Sequence, residues 1–342
     1  MRPVYVAGFA ELPHLLQDNL LDEPEMVQRV TAAALADAGL GRDDVGFTCS
    51  GSNDYVMGRP FSFATALDGL GAWPPIRESH VEMDGAWALY EAWVRLQHGD
   101  VDVALAYGFG KSSLGSVEAV RTLELDPYSL APLGIGPLPL AALQARALLD
   151  AGLATEADFA AVVERSRRDG NRNHTAPMTE AMSAAHALTL PYISSPLRGH
   201  DGPVRTDGAA AIVLSTEPVG PRIAGISHCI DAHQPGFRDL TVSRSIATAA
   251  AAAGGTSGVD VVELHVEYSS QEGIVLRALG LDSSVSVSPS GGALVANTPM
   301  VAGLCRIGHA ANAVRGGAKR ALAHATSGPL LQHNLICILE PA

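Results

Sequence analysis

The chain has 342 residues, 47% of them hydrophobic, enough to bury the core of one large or two medium domains. Its net charge of −13 argues against nucleic acid or an anionic membrane as partner, because both reward lysine and arginine. The same acidic balance keeps a protein soluble, so charge alone identifies no partner.

Along the chain, strands and helices alternate. Met1–Leu12 has one basic residue and no long apolar run, so no targeting signal is expected. Val4–Gly8 reads as a short strand. Pro24–Leu40 has helical periodicity and meets a stop at Gly41. Val45–Cys49 and Ser79–Met83 read as strands. A helix is predicted from Gly85 to about Gln97, with an apolar stripe of Ala86, Leu89, Tyr90, Trp93 and Leu96. Gly99 ends it, and Val101–Tyr107 is a buried strand. The segment 111–202 is rich in helix signals and prolines and reads as a helical excursion from the sheet. Within it, Thr155 and Asp158 resemble a capping box before a helix over Phe159–Arg168.

The sheet pattern resumes at Gly208–Ser215 and then repeats. Arg222–Cys229 is a strand, Ser243–Ala253 a helix and Val259–His265 a strand. A glycine-rich turn precedes a helix from about Met300 to Val314 and a strand over Ala318–Ala325. Val101–Gly110 and Ala318–Gly328 share a glycine-bearing stop, an Ala-Leu-Ala strand and a small-residue turn. Two duplicated α/β halves follow, 1–218 and 219–342, with the loop domain 111–202 inside the first. The uncharged stretches Tyr128–Ala145 and Ser283–Cys305 are broken by prolines and glycines, so no membrane span is expected. Cys49, Cys229, Cys305 and Cys337 form no CxxC pair. They read as buried thiols of a cytoplasmic protein, with no metal site expected.

Several segments together resemble the thiolase superfamily, nearest the sterol-carrier-protein thiolases and the actinobacterial lipid-transfer proteins. Asp207–Leu214 resembles the DGAAA strand that closes the first thiolase half. Thr155–Asn173, with Ser166, Arg167, Arg168 and Asn171, resembles the loop-domain helix of that branch. Pro289-Ser-Gly-Gly292 resembles its PSGG turn, and His265-Val-Glu-Tyr268 stands where it has HDCF. The resemblance spans essentially the whole chain. It implies the thiolase fold, an α/β arrangement of two duplicated halves in five αβαβα layers with a helical loop domain.

Three departures bear on chemistry. Glu82 stands where a thiolase has its nucleophilic cysteine, with Gly85, Ala88 and Leu89 keeping the rest of that motif. A carboxylate accepts hydrogen bonds and takes protons, but it substitutes poorly for a thiolate in forming an acyl-enzyme. Glu82 and Asp84 also suit the start of a helix as caps. Thr298 replaces the GHP histidine, and Ala325-Thr-Ser-Gly328 replaces the loop of the second cysteine. Acyl transfer through a covalent intermediate is therefore not expected.

Acid/base groups remain. The resemblance gives His265 a role in binding the thioester oxygen and places Tyr268 at the end of that motif. It sets His324 beside the glycine-bearing oxyanion loop, and Gly291, Gly292, Ser327 and Gly328 in the turns that face the thioester. For His324 and Tyr268, plain core packing is the competing reading. With Glu82 and Thr298 these groups suit retro-aldol cleavage of a β-hydroxyacyl thioester, which needs a base and donors for the enolate. The relatives work with a small OB-fold and zinc-ribbon partner or a second thiolase-like chain. The expectations are therefore an acyl-CoA substrate, no resident cofactor or metal, and a dimer-based heteromer acting on steroid side-chain CoA esters. A catalytically silent structural subunit and a lipid or acyl-CoA binder are the alternatives. Arg167, Arg168 and Arg172 are candidate contacts for the CoA phosphates, or members of a solvated face.

Overall fold

The computed structural model describes residues 1–71, 75–177, 179–282 and 284–342. Ser283, at the start of the second uncharged stretch, lies outside them. The strands in chain order are β1 (Tyr5–Glu11), β2 (Phe47–Gly51), β3 (Glu78–Val81), β4 (Val103–Lys111), β5 (Tyr192–Ser194), β6 (Leu197–Arg198), β7 (Asp207–Ser215), β8 (Arg222–Ile230), β9 (Val261–Leu264), β10 (Ser286–Val287), β11 (Ala321–Ser327) and β12 (His333–Glu340). The helices are α1 (Glu23–Ala38), α2 (Asp54–Met57), α3 (Ser62–Leu70), α4 (Gly85–His98), α5 (Val117–Leu123), α6 (Pro137–Asp150), α7 (Glu156–Gly170), α8 (Ala184–Ala187), α9 (Arg244–Ala252), α10 (Gln271–Leu279) and α11 (Ala302–Arg315).

The duplication is visible in the sheet. Strand order runs β3-β2-β4-β7-β1 in the first half and β10-β9-β11-β12-β8 in the second. The pairing senses match as well. β3–β2–β4 and β10–β9–β11 are parallel, and the remaining pairs within each half are antiparallel. The halves meet where Tyr5 of β1 pairs with Arg222 of β8.

Alternation along the strands builds the five layers. On one face of the first half, Leu105, Tyr107, Phe109, Ala211 and Val213 pack on α1 and α3. On the other face, Ala104, Ala106, Ile212 and Leu214 join α4, α11 and the inner faces of β11 and β12 in one buried core. The outer face of the second half, with Leu322, Ile336 and Ile338, is covered by α9, α10 and α6. Strands buried on both faces read as continuous apolar runs, which is why Asp207–Ser215 shows no alternation in sequence.

Helix ends follow local chemistry. Asp22 and Glu25 form a capping box at the start of α1. The helix ends at Gly39 rather than at the predicted Gly41, because Gly39 is the first residue able to take the left-handed turn (φ 66°). Thr155 is the N-cap of α7, its capping box with Asp158 being the one read from sequence, and the helix begins at Glu156 rather than at the predicted Phe159. Its side chains and those of α6 make the loop-domain segment a cover over the second half. Among the described residues no helix is long and apolar enough to cross a membrane.

Candidate functional site

The parallel strands β9 and β11 end side by side, and the carboxyl ends of parallel strands are where α/β sheets leave a ligand crevice. A narrow pocket with an accessible volume of about 30 Å³ opens there. Tyr268 and Glu267 come from the turn after β9, Thr326 and Gly328 from the end of β11, and Arg121 and Glu124 from α5 and its C-cap. Beyond Gly328 (φ 71°), the lining residues Leu330 and Leu331 both have φ 58°. Left-handed backbone costs a non-glycine residue about 1–2 kcal/mol, and such strain gathers at functional sites.

The charge in this pocket is organised around Glu267. Its carboxylate accepts hydrogen bonds from Arg205 and Asn297, both at 2.9 Å, and lies 3.8 Å from Arg121. Burial raises its pKa, but Arg205 and Arg121 outweigh burial and hold it far below the usual carboxylate range. Glu267 is therefore a fixed anion and a poor base. Arg121 is half-buried. Glu267 and Glu124, the latter at 3.2 Å, overcome the desolvation and keep it charged. Its Nε–H has no hydrogen-bond partner among the described residues, although the guanidinium lines the pocket. Burial and the Glu267 carboxylate keep the Tyr268 phenol protonated.

The two histidines lie beneath this lining. His265 is buried, and its Nδ1 accepts the Thr326 N–H at 3.4 Å. That bond assigns the proton to Nε2, which has no partner. His324 is fully buried, and its Nε2 lies 2.9 Å from Asn334 Oδ1. Asn334 donates its own amide to Ser245 and to the Leu331 carbonyl, so its oxygen is the acceptor and His324 Nδ1 carries the free lone pair. Burial lowers both pKa values, His265 to about 3 and His324 to about 4, so both rings are neutral at pH 7. Neither side chain lines the pocket.

The other residues singled out from sequence lie apart. Glu82 is exposed and accepts the Asp54 N–H at 3.1 Å, capping its neighbour α2 rather than facing the pocket. Asp84, two residues on, is buried and accepts N–H bonds from Ala86 at the start of α4 and from Gly303 and Leu304 at the start of α11. Thr298 is fully buried, its hydroxyl 2.8 Å from His14 Nδ1 and 2.7 Å from the Thr206 hydroxyl. Gly291 and Gly292 form a turn with positive φ that packs on α7, where a Cβ on Gly291 would stand 2.5 Å from Gly170 Cα. Ser327 pairs with His333 at the end of β11 and is not among the lining residues. Arg168 and Arg172 contact Asp169, and Arg167 donates to the Glu180 carbonyl at 3.0 Å.

Of the predicted set, the pocket thus gathers Tyr268 and Gly328, with His265 behind its wall. Sequence reasoning missed Arg121, Glu124 and Glu267. Glu267 sat inside the His265–Tyr268 motif as a signal, whereas nothing local marked Arg121.

No protein-family model matches the chain, and no curated protein does. Among solved structures the chain is similar to an Ltp2–ChsH2(DUF35) aldolase, with 18% identity over 99% of this chain and 98% of that one and a TM-score of 0.80. It is also similar to a human mitochondrial 3-ketoacyl-CoA thiolase in complex with CoA, with 16% identity over 100% of this chain and 98% of that one and a TM-score of 0.79. At these identities the likeness is one of fold, and the chain has the thiolase fold.

Proposed function

We propose that this chain is a thiolase-like subunit that binds an acyl-CoA thioester and cleaves a β-hydroxyacyl group by a retro-aldol reaction. The observation that carries this reading is a pocket lined by Tyr268 and by Arg121, whose Nε has no hydrogen-bond partner among the described residues, with no cysteine in its lining. Such a site stabilises an enolate but has no thiolate with which to form an acyl-enzyme.

In the reaction, a base takes the proton of the β-hydroxyl. The Cα–Cβ bond breaks, and its electrons pass into the thioester carbonyl as an enolate. Reprotonation at Cα gives the shortened CoA ester, and the other fragment leaves as a carbonyl compound. Tyr268 and Arg121 are assigned to the enolate oxygen, and Glu124 is assigned as the base. Glu124 is the lining carboxylate held by one guanidinium, whereas Glu267 is held by Arg205 and Asn297 with Arg121 nearby. His265 and His324 position the floor of the site. The resemblance described above points to a β-hydroxy steroid side-chain ester as substrate. It also points to a heteromer with a thiolase-like paralogue or an OB-fold zinc-ribbon partner.

A second reading, a structural subunit completing an active paralogue, is favoured by Thr298, which is sealed against His14 and Thr206 at the position of a catalytic imidazole. The chain is incubated with a β-hydroxy steroid acyl-CoA, alone and with each candidate partner. Release of a ketone and a shortened ester is expected, falling about 100-fold in Tyr268→Phe and Glu124→Gln. Unchanged turnover in both variants of an active complex would establish the structural reading. No cleavage under any pairing would refute the lyase.

A further inference from the structure

A second cluster of chemistry-bearing side chains adjoins Thr298 through His14. β1 ends at Glu11, and His14 follows one turn of chain later, fixed by its own N–H on the Thr175 carbonyl at 2.7 Å. α11 runs past this segment and presents Cys305, with His309 four residues on. His14 Nε2 lies 3.3 Å from Glu11 Oε2 and 3.7 Å from Cys305 Sγ. The three ligand-type atoms all fall within 4.8 Å of one another.

We propose that Glu11, His14 and Cys305 form a zinc site, with the fourth position open on the His309 side. Bond lengths of about 2.3 Å to sulfur and 2.0–2.2 Å to nitrogen and oxygen put tetrahedral ligands roughly 3.6 Å apart for S···N and 3.4 Å for N···O. His14 already holds these separations from Cys305 and Glu11. A thiol, an imidazole and a carboxylate together are a donor set for zinc rather than for magnesium or calcium, which take oxygen ligands.

The surroundings orient the ligands as an outer shell does. The Thr298 hydroxyl, hydrogen-bonded to Thr206, lies 2.8 Å from His14 Nδ1 and would accept its N–H once Nε2 ligates the ion between Glu11 and Cys305. Thr175 donates to Glu11 Oε1, and His309 Nε2 lies 3.0 Å from the same oxygen, so Oε2 is the oxygen turned toward His14. Binding expels the Cys305 thiol proton. Thiolate, carboxylate and neutral imidazole around a divalent ion make a site of zero net charge, which lowers the desolvation penalty of burying it. His309, part-exposed beside Phe9, marks the way in from solvent. The ion would tie the segment after β1 to the central helix α11.

Chelator-treated full-length chain is titrated with Zn²⁺ and separately with Co²⁺. One Zn²⁺ per chain by elemental analysis, a near-ultraviolet thiolate-to-Co²⁺ band and a raised Tm are the expected results. Cys305→Ser and His14→Gln lower the affinity at least 100-fold, and Thr298→Val lowers it about 10- to 100-fold. The Co²⁺ band is read on the unsubstituted chain, so the test stands even where a variant fails to fold. Absence of that band, or equal Zn²⁺ binding by a folded Cys305→Ser chain, would overturn the site. In that case the cluster holds only protons, as a Glu11–His14 ion pair.

Discussion

Replacing Asp84 by alanine tests how the two central helices are held together. The Asp84 carboxylate accepts the Ala86 and Leu304 N–H groups on Oδ1, at 2.9 and 3.0 Å, and the Gly303 N–H on Oδ2, at 2.9 Å. One side chain thus caps the first turns of both α4 and α11. Asp84→Ala leaves three buried donors without an acceptor. Each costs about 1–3 kcal/mol, though such losses do not add fully. Against this, burial penalises the carboxylate and raises its pKa despite the three bonds, and removing the charge recovers that penalty. The net expectation is a loss of about 4 kcal/mol. Asp84→Asn retains an Oδ1 acceptor but turns an amide N–H toward Gly303, and should lose roughly half as much. With an unfolding entropy of about 2.1 cal/mol/K per residue, about 4 kcal/mol lowers Tm by ~6 °C in a chain of this length. Differential scanning calorimetry and urea unfolding at pH 7 provide the measurement. An alanine variant within about 1 kcal/mol of the parent, or an asparagine variant less stable than the alanine one, would refute the shared-cap argument.

Acid sensitivity should trace in part to His324. Its ring resists protonation down to about 4 when folded, against an ordinary value of 6.5, so the unfolded state takes up the proton first. Stability therefore falls as pH drops from 6.5 toward 4 and is level above that window. Between pH 7 and 5 this amounts to ~2 kcal/mol. His324→Gln should lose that much less than the parent over the same interval in urea titrations, and parallel losses would refute the assignment. At Gly8 a methyl group would stand 2.3 Å from the Ala34 carbonyl and 2.8 Å from the Ala38 nitrogen, both backbone atoms of α1 and its C-terminal end. Gly8→Ala should therefore cost about 2–3 kcal/mol and lower Tm by ~3–4 °C. An unchanged Tm would mean that α1 shifts freely on β1.

The fold was legible because its signals are local or nearly so. Capping at Thr155, glycine stops at Gly99, and the buried run Asp207–Ser215 each report on their own neighbourhood. α10 and β12 escaped notice, although Leu335–Leu339 is wholly apolar and Ser269 and Glu272 have the spacing of a capping box. The candidate site was less legible. Tyr268 could be found through its motif, but Arg121 reaches the pocket from the helical excursion and gains meaning only from Glu267 far along the chain. Glu82 fits the place of a nucleophile by alignment, yet its side chain turns outward to Asp54. Alignment fixes where a backbone runs, and rotamers and partners decide where its side chain faces. The proposed zinc ligands show the same limit. Glu11 with His14, and Cys305 with His309, are each close pairs in sequence, but only the packing of α11 on β1 brings the pairs together.

The seam between the halves governs how the chain must be made. Ile223 donates its N–H to the Val4 carbonyl and Val6 donates to that of Pro221, so the first strand is capped along its outer rim by the strand that opens the second half. The core around α4 is completed by α11, β11 and β12. A ribosome that has released only the residues up to β7 therefore presents an open strand rim and an uncovered apolar layer, and it does so until nearly the last strand emerges. Such an intermediate invites pairing with other chains, so the nascent protein depends on shielding during synthesis, and splitting its gene between the halves yields two adhesive fragments rather than two domains.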